Sequence, residues 1–172
     1  MAGWEELDGY VLDDGAESEL LARQTECTLI WVGRDGHPRG VIVNYLFAQR
    51  RFWLTATEAR PRIAAIRADP RVSLAVSSKG SGIAARRSVS YRGRATVHTD
   101  EETRRWFIPL FTQRLRPGDP ERAEAFAATL DTPLRVVIEV RPGGRTGFDG
   151  AKMWAAATDA APAAVDPTWG GG

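Results

Sequence analysis

Cysteine is nearly missing from this chain, and its single instance, Cys27, excludes an internal disulfide. The CTLIWV setting marks it as a buried strand thiol rather than a nucleophile. Histidine is almost as scarce. His37 falls in an expected hairpin turn and His98 at a strand end, too isolated for a metal set, so surface or capping roles are expected. Of the 23 basic residues only Lys79 and Lys152 are lysines. Positive charge therefore rests on arginine, which keeps its proton and offers oxyanions a planar fork, although GC-rich coding is the expected source of most of these positions. No apolar run reaches the roughly 20 residues that span a bilayer, and no charged-then-apolar leader opens the chain, so a cytoplasmic protein without membrane contact is expected. A formal net charge of +1 removes the electrostatic case for general nucleic-acid binding. GxGxxG, P-loop and Ser-His-Asp patterns are all missing, so no catalytic side chain and no metal ligand is assigned.

What is present suits one domain. The chain has 172 residues, 43% of them hydrophobic and 26% charged, long enough to bury a real core. Glu17 to Gln24 reads as a first helix with Leu20 and Leu21 inward, Thr28 to Val32 as a strand, and Arg34-Asp-Gly-His37 as a reversing turn. Val41 to Phe47 and Phe52 to Thr55 form the next hairpin across Gln49-Arg50-Arg51, and Val72 to Ser77 is a further alternating strand. Lys79 to Ala85 is expected to be a mobile loop, and Ser88 to Val97 a long strand with a bulge or close approach at Gly93. Asp100 caps a helix that Pro109 should kink or break. Asp119 and Pro120 open another helix through Leu130, and Leu134 to Val140 is the last strong strand. Residues 1–154 are taken as the domain and 155–172 as a disordered Ala/Pro/Gly tail carrying a loose Trp169.

The densest local chemistry lies between Phe52 and Val76. An aromatic strand ends in hydroxyls, an arginine-bearing turn follows, and Ile63 to Ala68 form a short helix stopped by Pro70. This order puts Thr55, Thr57, Arg60 and Arg62 at a helix N-terminus, where free N–H groups and guanidinium forks can hold a phosphate. The residues alone leave two readings open: an anion cradle, or an ordinary strand-helix-strand connection with solvated arginines.

DGHPRGVIVNYLF, FWLTAT, RPRIAAIRADPRVSL, RSVSYRGRATV and RVVIEVRP, in this order and spacing, resemble the flavin-binding split-barrel proteins, the pyridoxamine 5'-phosphate oxidase superfamily. The resemblance covers roughly Cys27 to Gly150 and looks closest to actinobacterial members that use FMN or a deazaflavin. Together with the strand pattern it implies a mainly β (α+β) chain, a six-stranded antiparallel Greek-key split barrel with helices inserted between strands and near the C-terminus. It further implies a homodimer whose cofactor lies across the interface. Ring contacts would come from Gly40 to Asn44, with Val43 and Asn44 at the ring, and hydroxyl or amide contacts from Thr55, Ala56 and Thr57. Phosphate contacts would come from Arg62 and Arg60, Ser88 would meet the flavin from the long strand, and Phe148 would supply a late aromatic beside it. Two departures bear on chemistry. Ala151-Lys152-Met153-Trp154 replaces the Arg-x-His run of the oxidase itself, which argues against vitamin B6 oxidation, and Pro61 stands where the oxidase has a further phosphate-binding arginine.

The resulting expectation is an oxidoreductase using FMN or a deazaflavin (F-420), passing hydride to or from a small organic substrate. The alternative is a non-catalytic carrier of flavin, deazaflavin or haem on the same fold, haem being the less favoured ligand. Trp106, Phe107 and Phe111 supply more apolar surface than a small barrel easily hides, which supports the dimer. Arg51, in the hairpin turn, serves as the inert comparison for Arg62.

Overall fold

Aspartates open three of the helices. Asp13 accepts from the Ala16 N–H at 2.8 Å, Asp100 from Thr103 at 2.7 Å and Asp119 from Arg122 at 3.0 Å, each satisfying a donor that the first helical turn leaves unpaired. The computed structural model describes residues 7–156. After a 3-10 turn at Leu7–Tyr10 come α1 (Asp14–Arg23), β1 (Glu26–Val32), β2 (Pro38–Asn44), β3 (Leu46–Ala48) and β4 (Arg51–Thr57). They are followed by α2 (Pro61–Ala68), β5 (Arg71–Ser77), β6 (Arg87–His98), α3 (Glu101–Leu115), α4 (Pro120–Leu130), β7 (Arg135–Asp149) and α5 (Gly150–Ala156). No helix among these is long and apolar enough to cross a membrane.

The sheet has seven strands, not six, in the order β2-β1-β5-β6-β7-β4-β3, and every pairing is antiparallel. The extra strand comes from Val41 to Phe47, which reads as one element but changes partner at Tyr45. Residues up to Asn44 pair with β1, and residues from Leu46 pair with β4. Since β2 and β3 are the two outermost strands and only Tyr45 separates them, the sheet curls into a split barrel. Tyr45 is fully buried; its N–H donates to the Thr25 carbonyl at 2.9 Å and its hydroxyl to the Leu21 carbonyl at 3.3 Å.

Inside the barrel Leu29, Phe52, Leu54, Leu74, Val89, Ile138 and Val140 form one core, to which α1 adds Leu20 and Leu21 and α2 adds Ile63 and Ile66. Successive residues of a strand point to opposite faces. Trp53 and Val137 therefore project outward, where Phe107, Ile108 and Phe111 of α3 and Leu130 of α4 cover them. Phe107 and Phe111 are thus hidden within the chain, while Trp106 is half-buried and Leu110 of the same helix stands exposed. The large apolar side chain most exposed among the described residues is Ile42 on β2, at 68%.

Other expectations shift more modestly. α3 runs through Pro109 without a break. The 79–85 loop is tied down, with Gln24 Nε2 donating to the Ser77 and Lys79 carbonyls at 2.6 and 2.9 Å and Ser78 Oγ to Ala85 at 2.8 Å. The last strand continues to Asp149 because a register shift opposite Tyr91 and Gly93 absorbs Gly143 and Gly144. Residues 155–156 end α5; the rest of the expected tail, Trp169 included, lies outside the described residues. Cys27 is buried on β1 as expected, its thiol pushed up to about 12 by burial and then by the neighbouring Glu26 charge.

Gly93 meets both sequence expectations, bulge and close approach. A Cβ there would lie 2.8 Å from the Arg141 carbonyl oxygen and 2.9 Å from Val140 Cγ1. Because the first of these is backbone, Gly93→Ala should cost about 1–3 kcal/mol. Chemical denaturation read by tryptophan fluorescence checks this; an unchanged midpoint would show that β6 and β7 can part without loss.

Candidate functional site at the corner of β4 and α2

The corner is built from consecutive residues. Arg60 N–H closes a turn onto the Thr57 carbonyl at 3.0 Å, Ile63 N–H returns to the Arg60 carbonyl at 2.8 Å, and Pro61 occupies the first turn of α2, where its missing N–H costs nothing. Buried Ile63, Ala65 and Ile66 fix the helix on the core. Unlike α1, α3 and α4, α2 has no side-chain cap, and Arg60 stands at its cap position. The helix start is therefore a positive end with donors to offer.

The arginines of this stretch divide into two kinds. Arg67 pairs with Glu58, and Arg71 takes Asp69 through Nη2 at 2.6 Å. Arg60 and Arg62 enter no ion pair among the described residues, and Arg62 Nε is buried without a hydrogen-bond partner. Burial, and then the like charge of Arg60, lowers the Arg62 guanidinium from its ordinary value. Such a donor, uncompensated inside the chain, is what an external anion would satisfy. A cleft of about 410 Å³ runs along another side of α2, between Pro61 and Ala64 and Trp31, Arg34, Asp35 and Arg39 of the β1–β2 region; Arg60 and Arg62 do not line it.

Not every expected site residue reaches this corner. Thr57 does. Thr55 Oγ1 is engaged with the Val136 carbonyl at 2.9 Å, and Ala56 is part of the core, so these two offer little beyond backbone. Barrel closure brings β2 alongside β4. There Val43 packs on the core, and the Asn44 amide donates to the Thr25 carbonyl at 3.3 Å. Ser88 and Phe148 are direct cross-strand partners, so the structure joins them to each other, but at the far end of β6. Thr55 pairs with Val137, which pairs with His98. From His98 back to Ser88 is roughly 33 Å of strand at about 3.3 Å per residue. A single chain therefore holds two separated groups of the expected residues.

Sequence reading missed Glu139. Its carboxylate, 2% exposed, lies under α3 and gathers Arg51 Nη1 at 2.7 Å, His98 Nε2 at 2.8 Å and Arg141 Nε at 2.8 Å. His98, half-buried, thus hydrogen-bonds a buried carboxylate rather than standing free, and Arg51 is no inert comparison. Burial works to raise the Glu139 carboxyl, but the hydrogen bonds from Arg141 and His98 and the Arg51 charge outweigh it and hold the group below its ordinary value. With the folded value below the unfolded one, this stabilisation is complete above the ordinary carboxylate range and disappears as pH falls through the folded value. Glu139→Gln should cost about 1.5–3 kcal/mol at neutral pH and flatten the acid limb of melting temperature against pH. An acid limb as steep as the parent's would contradict this account.

Residues 14–144 match the family model described as pyridoxamine 5'-phosphate oxidase. The chain belongs to that family. No curated protein matches it in sequence. A conserved hypothetical protein from Mycobacterium tuberculosis superposes with TM-score 0.77 at 18% identity, covering 94% of this chain and 96% of that one. An F-420 reductase superposes with TM-score 0.56 at 24% identity, over 77% and 97% of the two chains. HutZ, a haem storage protein of Vibrio cholerae, gives 0.63 at 14%, over 80% and 94%. These likenesses show a shared fold, and the fold is common to proteins with different ligands.

Proposed function

We propose that this chain is a flavin- or deazaflavin-dependent oxidoreductase, acting as a homodimer, with the cofactor phosphate seated at the corner of β4 and α2. The observation that carries the reading is Arg62, whose buried Nε has no partner, beside an exposed Arg60 that enters no ion pair among the described residues. FMN or a deazaflavin (F-420) would supply hydride chemistry toward a small organic substrate. Arg60, Arg62 and the Thr57 hydroxyl bind and orient the phosphate, while Pro61 offers no N–H, which shifts the work of recognition onto the guanidiniums. The edge strand β2, around Val43 and Asn44, supports the ring through its backbone.

Ser88 and Phe148 would complete the site from a second copy, since in their own chain they lie a strand's length away. The exposed Ile42 makes β2 and its surroundings the natural contact face. The oxidase's own Arg-x-His run is replaced here by residues of α5, so vitamin B6 phosphates are not the proposed substrate.

Two measurements test this reading. In absorption titrations with FMN, reduced deazaflavin and haem, the protein should take up one of the first two. Arg62→Ala should weaken that uptake by about ten- to a hundredfold, the loss of a contact worth about 1.5–3 kcal/mol. Arg105→Ala on exposed α3 should change it little; equal affinity of Arg62→Ala and the parent, or uptake of haem alone, would overturn the assignment. Light scattering should give a two-fold dimer. A monomer that holds cofactor tightly would remove the second copy from the site.

A further inference from the structure

A second concavity lies at the other end of β4. The β3–β4 turn, α1, the last turn of α3 and the middle of β6 and β7 surround a cavity of about 720 Å³. Phe47, Leu21 and Tyr91 contribute apolar wall, and Arg50, Arg114 and Arg145 contribute guanidiniums. The two carboxylates in the wall share one guanidinium, so with three arginines and two acids the lining is net positive by one charge. Glu17 binds both the Tyr91 hydroxyl and Arg145, and Asp14 accepts from Arg145 Nη2 at 2.7 Å.

The other two arginines have no carboxylate. Arg114 is held rigidly: its Nη2 donates to the Leu21 and Gln24 carbonyls at 2.9 and 2.6 Å, its guanidinium carbon sits 5.8 Å from the Tyr45 ring centre, and Nη1 makes no hydrogen bond among the described residues. Arg50 enters no ion pair among them either, although Arg51 beside it binds Glu139. Arg50 has φ 59° and Gln49 has φ 54°, the left-handed turn that a two-residue hairpin ordinarily fills with Asn-Gly. An arginine is thus kept at the cavity rim in a backbone conformation that suits glycine better.

Two guanidiniums without an ion-pair partner among the described residues, in a net positive lining with an apolar wall, suit an anion with an apolar body. We propose that this cavity is a second ligand site, separate from the cofactor corner, and that it takes a small organic carboxylate, the acid group between Arg50 and Arg114 and the apolar body against Phe47 and Leu21. Sodium benzoate serves as probe and acetate as its counterpart without the apolar body, followed by two-dimensional amide NMR of the full chain. Benzoate should bind saturably, shift the amides of Phe47, Arg50 and Tyr91, and bind at least about tenfold more tightly than acetate.

Arg50→Gly removes the charge while favouring the turn, so its melting temperature should hold or rise as benzoate affinity falls about tenfold. Arg62→Ala should leave benzoate binding unchanged, which separates this site from the proposed cofactor corner. Absence of saturable binding, equal affinity in Arg50→Gly, or shifts confined to the start of α2 would each overturn the proposal.

Discussion

The architecture depends on one residue's change of partner. Tyr45 stands between a strand that pairs with β1 and a strand that pairs with β4, and those pairings lie at opposite edges of the sheet. A chain cannot satisfy both unless the sheet curls until its edges meet. The buried ring and the hydrogen bonds of the Tyr45 N–H and hydroxyl hold that corner, and Arg114 stacks on it from α3. Barrel closure limits the exposed edge that an open sheet would present, sets β2 beside β4, and encloses the apolar face of every strand. The two concavities lie where helices pack on this closed sheet, one between α2 and the β1–β2 turn and one between α1, α3 and the β3–β4 turn.

Electrostatics then decides which arginines carry meaning. With 23 basic and 22 acidic residues the chain is close to neutral, and most guanidiniums at strand and helix ends have a carboxylate within reach. Exposed pairs of this kind add little stability, but they neutralise the surface. Arg50, Arg60, Arg62 and Arg114 are among the arginines that enter no ion pair among the described residues, and Arg62 and Arg114 each also keep a buried Nε without a hydrogen-bond partner. Composition could not reveal this, for an arginine-rich sequence looks the same whether its cations are matched or not.

Legibility followed the range of the interactions. The strands β1, β5 and β6 and the caps Asp100 and Asp119 are local and legible, whereas the sequence places the first helix from Glu17 and the short helix from Ile63, missing the Asp13 cap and the Pro61 start. Tyr45 was not legible, because a partner change leaves apolar periodicity intact. The second half of β7 was hidden by Pro142-Gly143-Gly144, which reads as a break but is taken up in the register shift. The Glu139 cluster joins residues 41 and 88 positions apart, beyond any local pattern. Phe107 and Phe111 suggested a sticky helix face only because the sequence does not show that β4, β7 and α4 cover them. At the corner, residue types and order were legible, whereas the engagement of Thr55 and Asn44 with neighbouring backbone needed the fold.

The separation of Ser88 and Phe148 from the corner bears on how such a fold takes on new ligands. Strand register fixes the two groups at opposite ends of β6, so no side-chain rearrangement within one chain can bring them together. Only a second copy, placed so that the far end of its β6 meets the α2 corner of the first, can do so, and a two-fold axis then builds two equivalent sites at once. The barrel core of Leu29, Phe52, Leu74 and Ile138 holds the fold whichever residues occupy the strand ends, so the fold alone does not fix the ligand.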